Sequence, residues 1–361
     1  MSNVVDGFDF CALGQQMSNS TYFRILLAIR IVICFAGIAL CGSMLLSRLN
    51  SVILHVHARI IIKYHVFITF LLSVNYLWVS MFELVRNSQR LAPCDYLMPR
   101  WLSFFPHFIT ANLVYCQLLS CMMITIERLV CTFKIRNYEN VSRAKSIILA
   151  LVLMTASVIA ASYLSLAHTA DWEQKMFFLS FKDTKNRVHA IVYLSAQLFC
   201  DLVTVVLCKI VDVLNRRTKK NFVNGLFNFR KICPQNQLSS KLQIRENIAL
   251  SNTWMPIILV HLTLTAVSVL VIGIVIEIGR SNYLTAILIA ETVACLFPLY
   301  TVIMPMFIFR KHPSLFWSLV ERLCKRQFRR VDVAMTAKKT GHDFDQHFEW
   351  FNQMVDHKPT L

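Results

Sequence analysis

The chain has 361 residues, 56% of them hydrophobic, with a mean hydropathy of +0.53 and a formal charge of +17 from 37 Lys and Arg against 20 Asp and Glu. That apolar content lies well above an ordinary globular domain and excludes a water-soluble reading. The excess of positive charge needs no nucleic-acid partner, because its placement along the chain has a membrane explanation.

A helix needs about 20 mostly apolar residues to cross the hydrocarbon core. Seven such runs occur, at Tyr22–Leu46, Ile60–Leu84, Trp101–Val130, Ala144–Leu166, Val188–Val213, Ile248–Ile276 and Tyr283–Phe309. The first is not a signal peptide, since Asp6 and Asp9 precede it and its apolar part is too long. The expected organisation is an N-terminal tail at 1–21, a seven-helix membrane domain at 22–309, a helix on the membrane surface at 313–331 and a polar tail at 332–361. In that surface helix Leu315, Leu319 and Leu323 form an apolar stripe beside Phe316, Val320 and Cys324, while Arg322, Lys325, Arg326, Arg329 and Arg330 face lipid headgroups. Cys324 sits where a palmitoyl chain could enter the bilayer.

Orientation follows from the basic residues. With the N-terminus outside, 27 of the 37 Lys and Arg fall on inner segments, chiefly the loop between the fifth and sixth runs and the C-terminal tail. The positive-inside rule therefore places the N-terminus outside the cell membrane and the C-terminus in the cytoplasm. Asn19-Ser20-Thr21 is then a glycosylation sequon on the outer side, whereas Asn140-Val141-Ser142 lies inside and is expected to stay unmodified.

Of the 12 cysteines, Cys34, Cys41, Cys116, Cys121, Cys200, Cys208 and Cys295 lie in apolar runs as small fillers. None forms a CxxC pair, so no metal site is expected. Cys11 and Cys94 alone fall in the oxidising outer space, which suggests a disulfide from the N-terminal tail to the loop before the third run. The outer loop at 167–187 has no cysteine with which to make the third-span bridge common among receptors.

Seven spans with an outer N-terminus form the architecture of G-protein-coupled receptors, a likeness that does not by itself give function. Glu127-Arg128 lies at the inner end of the third span, where a charge must be paired or face a cavity. "ERLVCT" followed by Asn137-Tyr138-Glu139 resembles the ERxxAT and YE pattern of the nematode serpentine chemoreceptors of the Sra superfamily, with Cys131 in place of the usual Ala. "LSSKLQIRENI" at 238–248 is similar to that family's approach to the sixth span, with Leu242 where Tyr is usual. "FPLYTVIMP" at 297–305 with His312-Pro313 resembles its seventh-span exit, and among the superfamily's classes alpha, beta, alpha/beta and epsilon the resemblance leans towards alpha/beta. The resemblance implies an all-α membrane receptor of a sensory neuron that takes a small chemical cue and activates a heterotrimeric G protein. Its switch would comprise Glu127, Arg128, Tyr138, Glu139 and Glu246.

Polar and aromatic groups in the outer and middle parts of the runs mark a ligand pocket at Trp78, His107, Asn112, Tyr115, Tyr193, Gln197 and Glu291. Two intramembrane pairs are expected from equal depths: Arg30 with Glu291 across the first and seventh spans, and Asp201 with His261 across the fifth and sixth. Rival functions fit less well. A transporter would show an internal repeat or broken helices, against only 8 glycines and an odd span count here. A ligand-gated channel of the insect odorant type has its N-terminus inside. An opsin needs a seventh-span lysine that Tyr283–Phe309 lacks. No HExxH, P-loop or Gly-x-Ser-x-Gly indicates an enzyme, and no cofactor is expected.

Overall fold

The computed structural model describes residues 4–5, 8–47, 56–89, 91–133, 144–177, 187–223, 234–278 and 283–313. Tyr138, Glu139, Asn140 and Cys324, and the surface helix expected at 313–331, lie outside these apart from Pro313.

Seven helices among the described residues are long and apolar enough to cross a membrane. A two-residue ribbon, β1 (Val4–Val5) paired antiparallel with β2 (Phe8–Asp9), leads into a short helix, α1 (Phe10–Asn19). The first four spans are α2 (Thr21–Leu46), α3 (Val56–Ser88), α4 (Arg100–Phe133) and α5 (Ala144–Ser162). The fifth and sixth are α6 (Arg187–Val223) and α7 (Pro234–Ile278), and the seventh is split into α8 (Tyr283–Ala294) and α9 (Leu296–Lys311). Helix α2 packs on α3 and α9, α4 on α3, α5 and α6, and α7 on α6, α8 and α9, so the spans close into a ring.

Burial is inverted relative to a water-soluble protein. Arg30, His65, Ser73, Gln117, Ser120 and Thr301 are fully inside, whereas Val32, Phe35, Leu164, Phe199 and Leu270 stand more than half exposed on the outer surface. An apolar girdle of that extent would be an aggregation site in water and is the expected surface in lipid. The chain is a multi-pass membrane protein.

Two departures from the sequence reading have clear causes. The helices overrun the apolar runs, most of all in α7, because hydropathy reports lipid contact while polar residues at the ends remain good helix formers. The seventh span breaks at Cys295 because Pro298 has no N–H for the Ala294 carbonyl, and the Cys295 N–H turns back to Thr292 at 3.2 Å.

The expected N-terminal tail is also ordered as a cap. Ser20 closes the start of α2 by accepting from the Phe23 N–H, and Arg24 donates to the Ser18 carbonyl at 2.7 Å, fixing the corner between α1 and α2. Cys11 is bonded to Cys94, which lies in the short helical turn Pro93–Tyr96. The Ser18 hydroxyl donates to the Tyr96 hydroxyl, which donates onward to the Gln89 carbonyl. Gly14 lets α1 lie flat on this loop: a Cβ there would come within 3.1 Å of Tyr96 and 3.2 Å of Phe177. Arg86, paired with Glu83, donates to the carbonyls of both Tyr96 and Phe177 at 2.7 Å and so ties both loops to α3. Opening the disulfide with Cys11→Ser is expected to release α1 from the loop. Limited proteolysis should then cut between residues 10 and 19 in the variant and spare the unmodified protein.

Gly37 lets α2 lie close against α3 and α9. A Cβ there would sit 2.5 Å from the Ser73 hydroxyl and closer still to that of Thr301, two groups that hydrogen-bond to each other at 2.6 Å. Gly37→Ala should force α2 away from α9 and lower the melting temperature, at a cost of about 1–3 kcal/mol for overpacking. An unchanged melting temperature would contradict this packing.

Candidate functional site

At the bundle end away from α1, Arg128 is 2% exposed on the last turns of α4. Its Nε and Nη2 grip Glu127, the latter at 2.7 Å, and its Nη1 donates to Asn247 Oδ1 at 2.7 Å. Glu246 lies 3.7 Å from the same Nη1. A buried guanidinium is tolerable only with its charge matched and its donors occupied, which Glu127 and α7 together achieve. One turn on, the Thr132 hydroxyl donates to the Arg128 carbonyl and to Asn215 Oδ1 of α6. The cluster thus joins α4 to α6 and α7 through groups that rotation of α7 would separate. Sequence reasoning singles out Glu246 and passes over Asn247 and Asn215. Both asparagines are fully buried well inside their helices and therefore need polar partners, a burial that the sequence alone does not disclose. Beyond α9, His312 Nε2 lies 3.4 Å from the Thr253 hydroxyl, and burial beside the Lys311 charge holds its pKa below the usual imidazole value.

The middle of the bundle holds a polar network that sequence reasoning finds only in part. Asp201 Oδ1 and His261 Nδ1 are 2.9 Å apart, both side chains under 5% exposed. The His261 ring stands edge-on to Tyr300 at 5.1 Å. His65 lies between the Tyr300 hydroxyl (3.0 Å from Nε2) and Ser120 (2.7 Å from Nδ1). Because Ser120 donates its own proton to the Gln117 carbonyl, it accepts from His65 Nδ1, leaving Nε2 to accept from Tyr300. Trp254 packs edge-on to His65 at 5.4 Å. This chain links α6, α7, α9, α3 and α4. His65 carries the same ionisable ring as His261 but has no acidic residue at matching depth on a neighbouring span to draw attention to it, and the Tyr300 hydroxyl carries no charge.

Between α2 and the broken seventh span, Arg30 is 1% exposed and its Nη2 donates both to Glu291 Oε2 at 2.9 Å and to the Glu291 carbonyl at 2.6 Å. That carbonyl lies at the end of α8, where the ladder is interrupted and the helix dipole is negative, so a cation is doubly stabilised there.

The residues selected for a ligand pocket do not form one group. Tyr115 and Tyr193 do meet, with ring centroids 5.0 Å apart, and the Tyr193 hydroxyl bonds to Ser162 at 2.8 Å. Gln197 lies one turn further along α6 and is 2% exposed. Asn112 is buried on α4 and donates to the Phe108 carbonyl. His107 is partly buried nearer the same end of α4. Trp78 is different: it stacks on Phe82 and is 49% exposed on the outer surface of the bundle, because its register on α3 turns it toward lipid. Glu291 is taken up by Arg30 on the other side of the ring. Asn19 is exposed at the end of α1, with Thr21 also exposed. Among the described residues no three His, Cys, Asp or Glu side chains gather as a metal site would require.

Comparison with known proteins gives three findings. Residues 9–349 match the family described as serpentine type 7TM GPCR receptor class ab chemoreceptor. A relative in Caenorhabditis elegans, serpentine receptor class alpha/beta-14, is 21% identical over 304 residues, covering 82% of this chain and 76% of its own. The crystal structure of squid rhodopsin superimposes with a TM-score of 0.60 at 12% identity over 89% of this chain and 85% of its own, a likeness of fold alone.

Proposed function

The chain belongs to the class ab family of serpentine seven-transmembrane chemoreceptors, and from that premise we propose that it is a chemosensory receptor of the cell membrane. It binds a small molecule from outside, on the side of the bundle capped by α1, and activates a heterotrimeric G protein at the end that carries Arg128. The observation that supports this most is the Arg128 cluster, in which one guanidinium holds α4 and α7 together through Glu127, Asn247 and Glu246.

A ligand shifts an equilibrium only as far as it binds one arrangement better than the other. In the arrangement described, Arg128 is engaged and the inner end of α7 is held against α4. An arrangement with α7 swung outward would release Arg128 from Asn247 and Glu246 and offer it, with the neighbouring basic segments, to the G protein. Tyr138 and Glu139 complete the switch by family resemblance. The N-terminus is outside and the C-terminus inside, as the distribution of Lys and Arg favours, and exposed Asn19 is positioned to carry a glycan. Sensory neurons are the expected site of expression.

The competing readings are a ligand-gated channel subunit and a small-solute transporter. Purified protein reconstituted with a G protein separates them. Receptor-dependent GDP–GTP exchange supports the proposal, whereas a cue-evoked current or solute uptake without exchange overturns it.

A further inference from the structure

Asp201 and His261 fix how α6 and α7 face each other, and the antiparallel register carries one step further. One turn back along α6 is Gln197, and one turn forward along α7 is Thr265, so these two stand at the next level toward the capped end. Both are 2% exposed. The Gln197 Nε2, the Thr265 hydroxyl and the second Asp201 oxygen, Oδ2, are all buried without a hydrogen-bond partner among the described residues. The case of Thr265 is particularly informative. Thr253, Thr263 and Ser268 on the same helix each satisfy their hydroxyl on the carbonyl four residues back, and Thr265 does not. A buried polar group without a partner loses its hydration and gains nothing in return, so three at adjacent levels of one helix pair call for a common partner. One turn further back along α6, Tyr193 meets Tyr115 of α4 with ring centroids 5.0 Å apart.

We infer that a compact cationic amine bearing an oxygen acceptor binds between α6 and α7, its ammonium on Asp201 Oδ2 and Thr265, its oxygen on Gln197. The polarity is set by the orphans themselves. Asp201 offers a carboxylate acceptor, which a cation meets best in a low dielectric, and Gln197 offers a donor. Gln197 and Asp201 are four residues apart, about 6 Å along the helix, so amine and acceptor are separated by a short chain. Occupation would draw Asp201 toward the ligand and loosen its hold on His261. The His261 ring touches Tyr300, whose hydroxyl holds His65, so the change reaches α9 and α3. This inference rests on the small-ligand reading above and supplies its chemical class.

The test uses 3-amino-1-propanol with two probes that differ only in the group facing Asp201, namely propane-1,3-diol and 3-hydroxypropanoate. Purified full-length receptor is melted in each. The amine is expected to raise the melting temperature by a few degrees in a saturable manner, and the diol and the anion are not. Asp201→Asn and Thr265→Val should each weaken the apparent affinity at least tenfold. If Asp201→Asn fails to fold because His261 loses its partner, Thr265→Val carries the test, since it removes one hydroxyl and no charge. No amine-dependent shift, an equal shift with the diol, or a shift undiminished in Thr265→Val would overturn the inference. Melting requires no G protein. A protein stabilised by the amine that answers it with a current or with uptake, and without nucleotide exchange, would therefore sink the receptor reading and leave this site standing.

Discussion

Arg128→Ala is expected to lower receptor-stimulated nucleotide exchange by at least ~tenfold, which corresponds to ~1.4 kcal/mol of coupling free energy. The guanidinium bridges Glu127 to Asn247 and Glu246 of α7, and alanine makes none of these contacts. Removing one partner of a buried pair also costs stability, about 3–5 kcal/mol, because the Glu127 carboxylate is left inside. Surface expression and melting temperature must therefore be measured alongside exchange. Arg128→Lys separates the two effects: it keeps the charge beside Glu127 but cannot span Glu127 and Asn247 at once, so it should fold better than alanine while coupling poorly. Glu246→Gln removes the outlying 3.7 Å attraction to Arg128, and should raise ligand-free exchange a few-fold by weakening the hold on α7. Undiminished signalling from folded Arg128→Ala would remove Arg128 from the switch.

Reversing either member of the Arg30 and Glu291 pair should be more damaging to folding than any other single change considered. Arg30→Glu sets two carboxylates together at a depth where even one unpaired charge costs several kcal/mol, and Glu291→Arg does the same with two cations. The doubly reversed protein restores opposite charges. It does not restore the hydrogen bond from Arg30 to the Glu291 carbonyl at the break in the seventh span, because a carboxylate cannot donate there. The expected order of melting temperatures is unmodified protein, then double reversal, then the single reversals. A double reversal no more stable than either single would show that the pair does not hold α2 to the seventh span.

The seven spans were legible because a run of some 20 apolar residues has few other meanings. Depth was legible too, since counting residues from each outer end sets Arg30 level with Glu291 and Asp201 level with His261. Rotation about each helix axis was not. Lipid and the bundle interior are almost equally apolar, so the periodicity that orients a helix in a soluble protein is weak here. Trp78 shows the consequence: its depth suits a pocket, but its direction is toward lipid. The same blindness hid the convergence of Gln197, Thr265 and Asp201, which follows only once the Asp201 to His261 contact fixes the register of α6 on α7. Composition also missed α1, a short helix of modest hydrophobicity that is held by Cys11, Gly14 and Ser18 against partners some 80 residues away. Asn247 was hidden for a different reason. Beside Glu246 it reads as a polar helix end, and only the Arg128 side chain reaching across from α4 gives it a role.

In the proposed switch Arg128 latches α4 to α7, and G-protein coupling opens the latch. Spin labels at Phe133, the last residue of α4, and at Ala249, two residues beyond Asn247 on α7, both exposed, report the separation of the two helices near the Arg128 cluster by pulsed electron resonance. In the isolated receptor the labels should give a single short distance. Adding a heterotrimeric G protein and removing its nucleotide should lengthen that distance by several ångströms, and the same lengthening should appear without G protein in a fraction of the Glu246→Gln receptor. An unchanged distance in a receptor that binds the G protein and drives its exchange would show that coupling does not open the Arg128 latch.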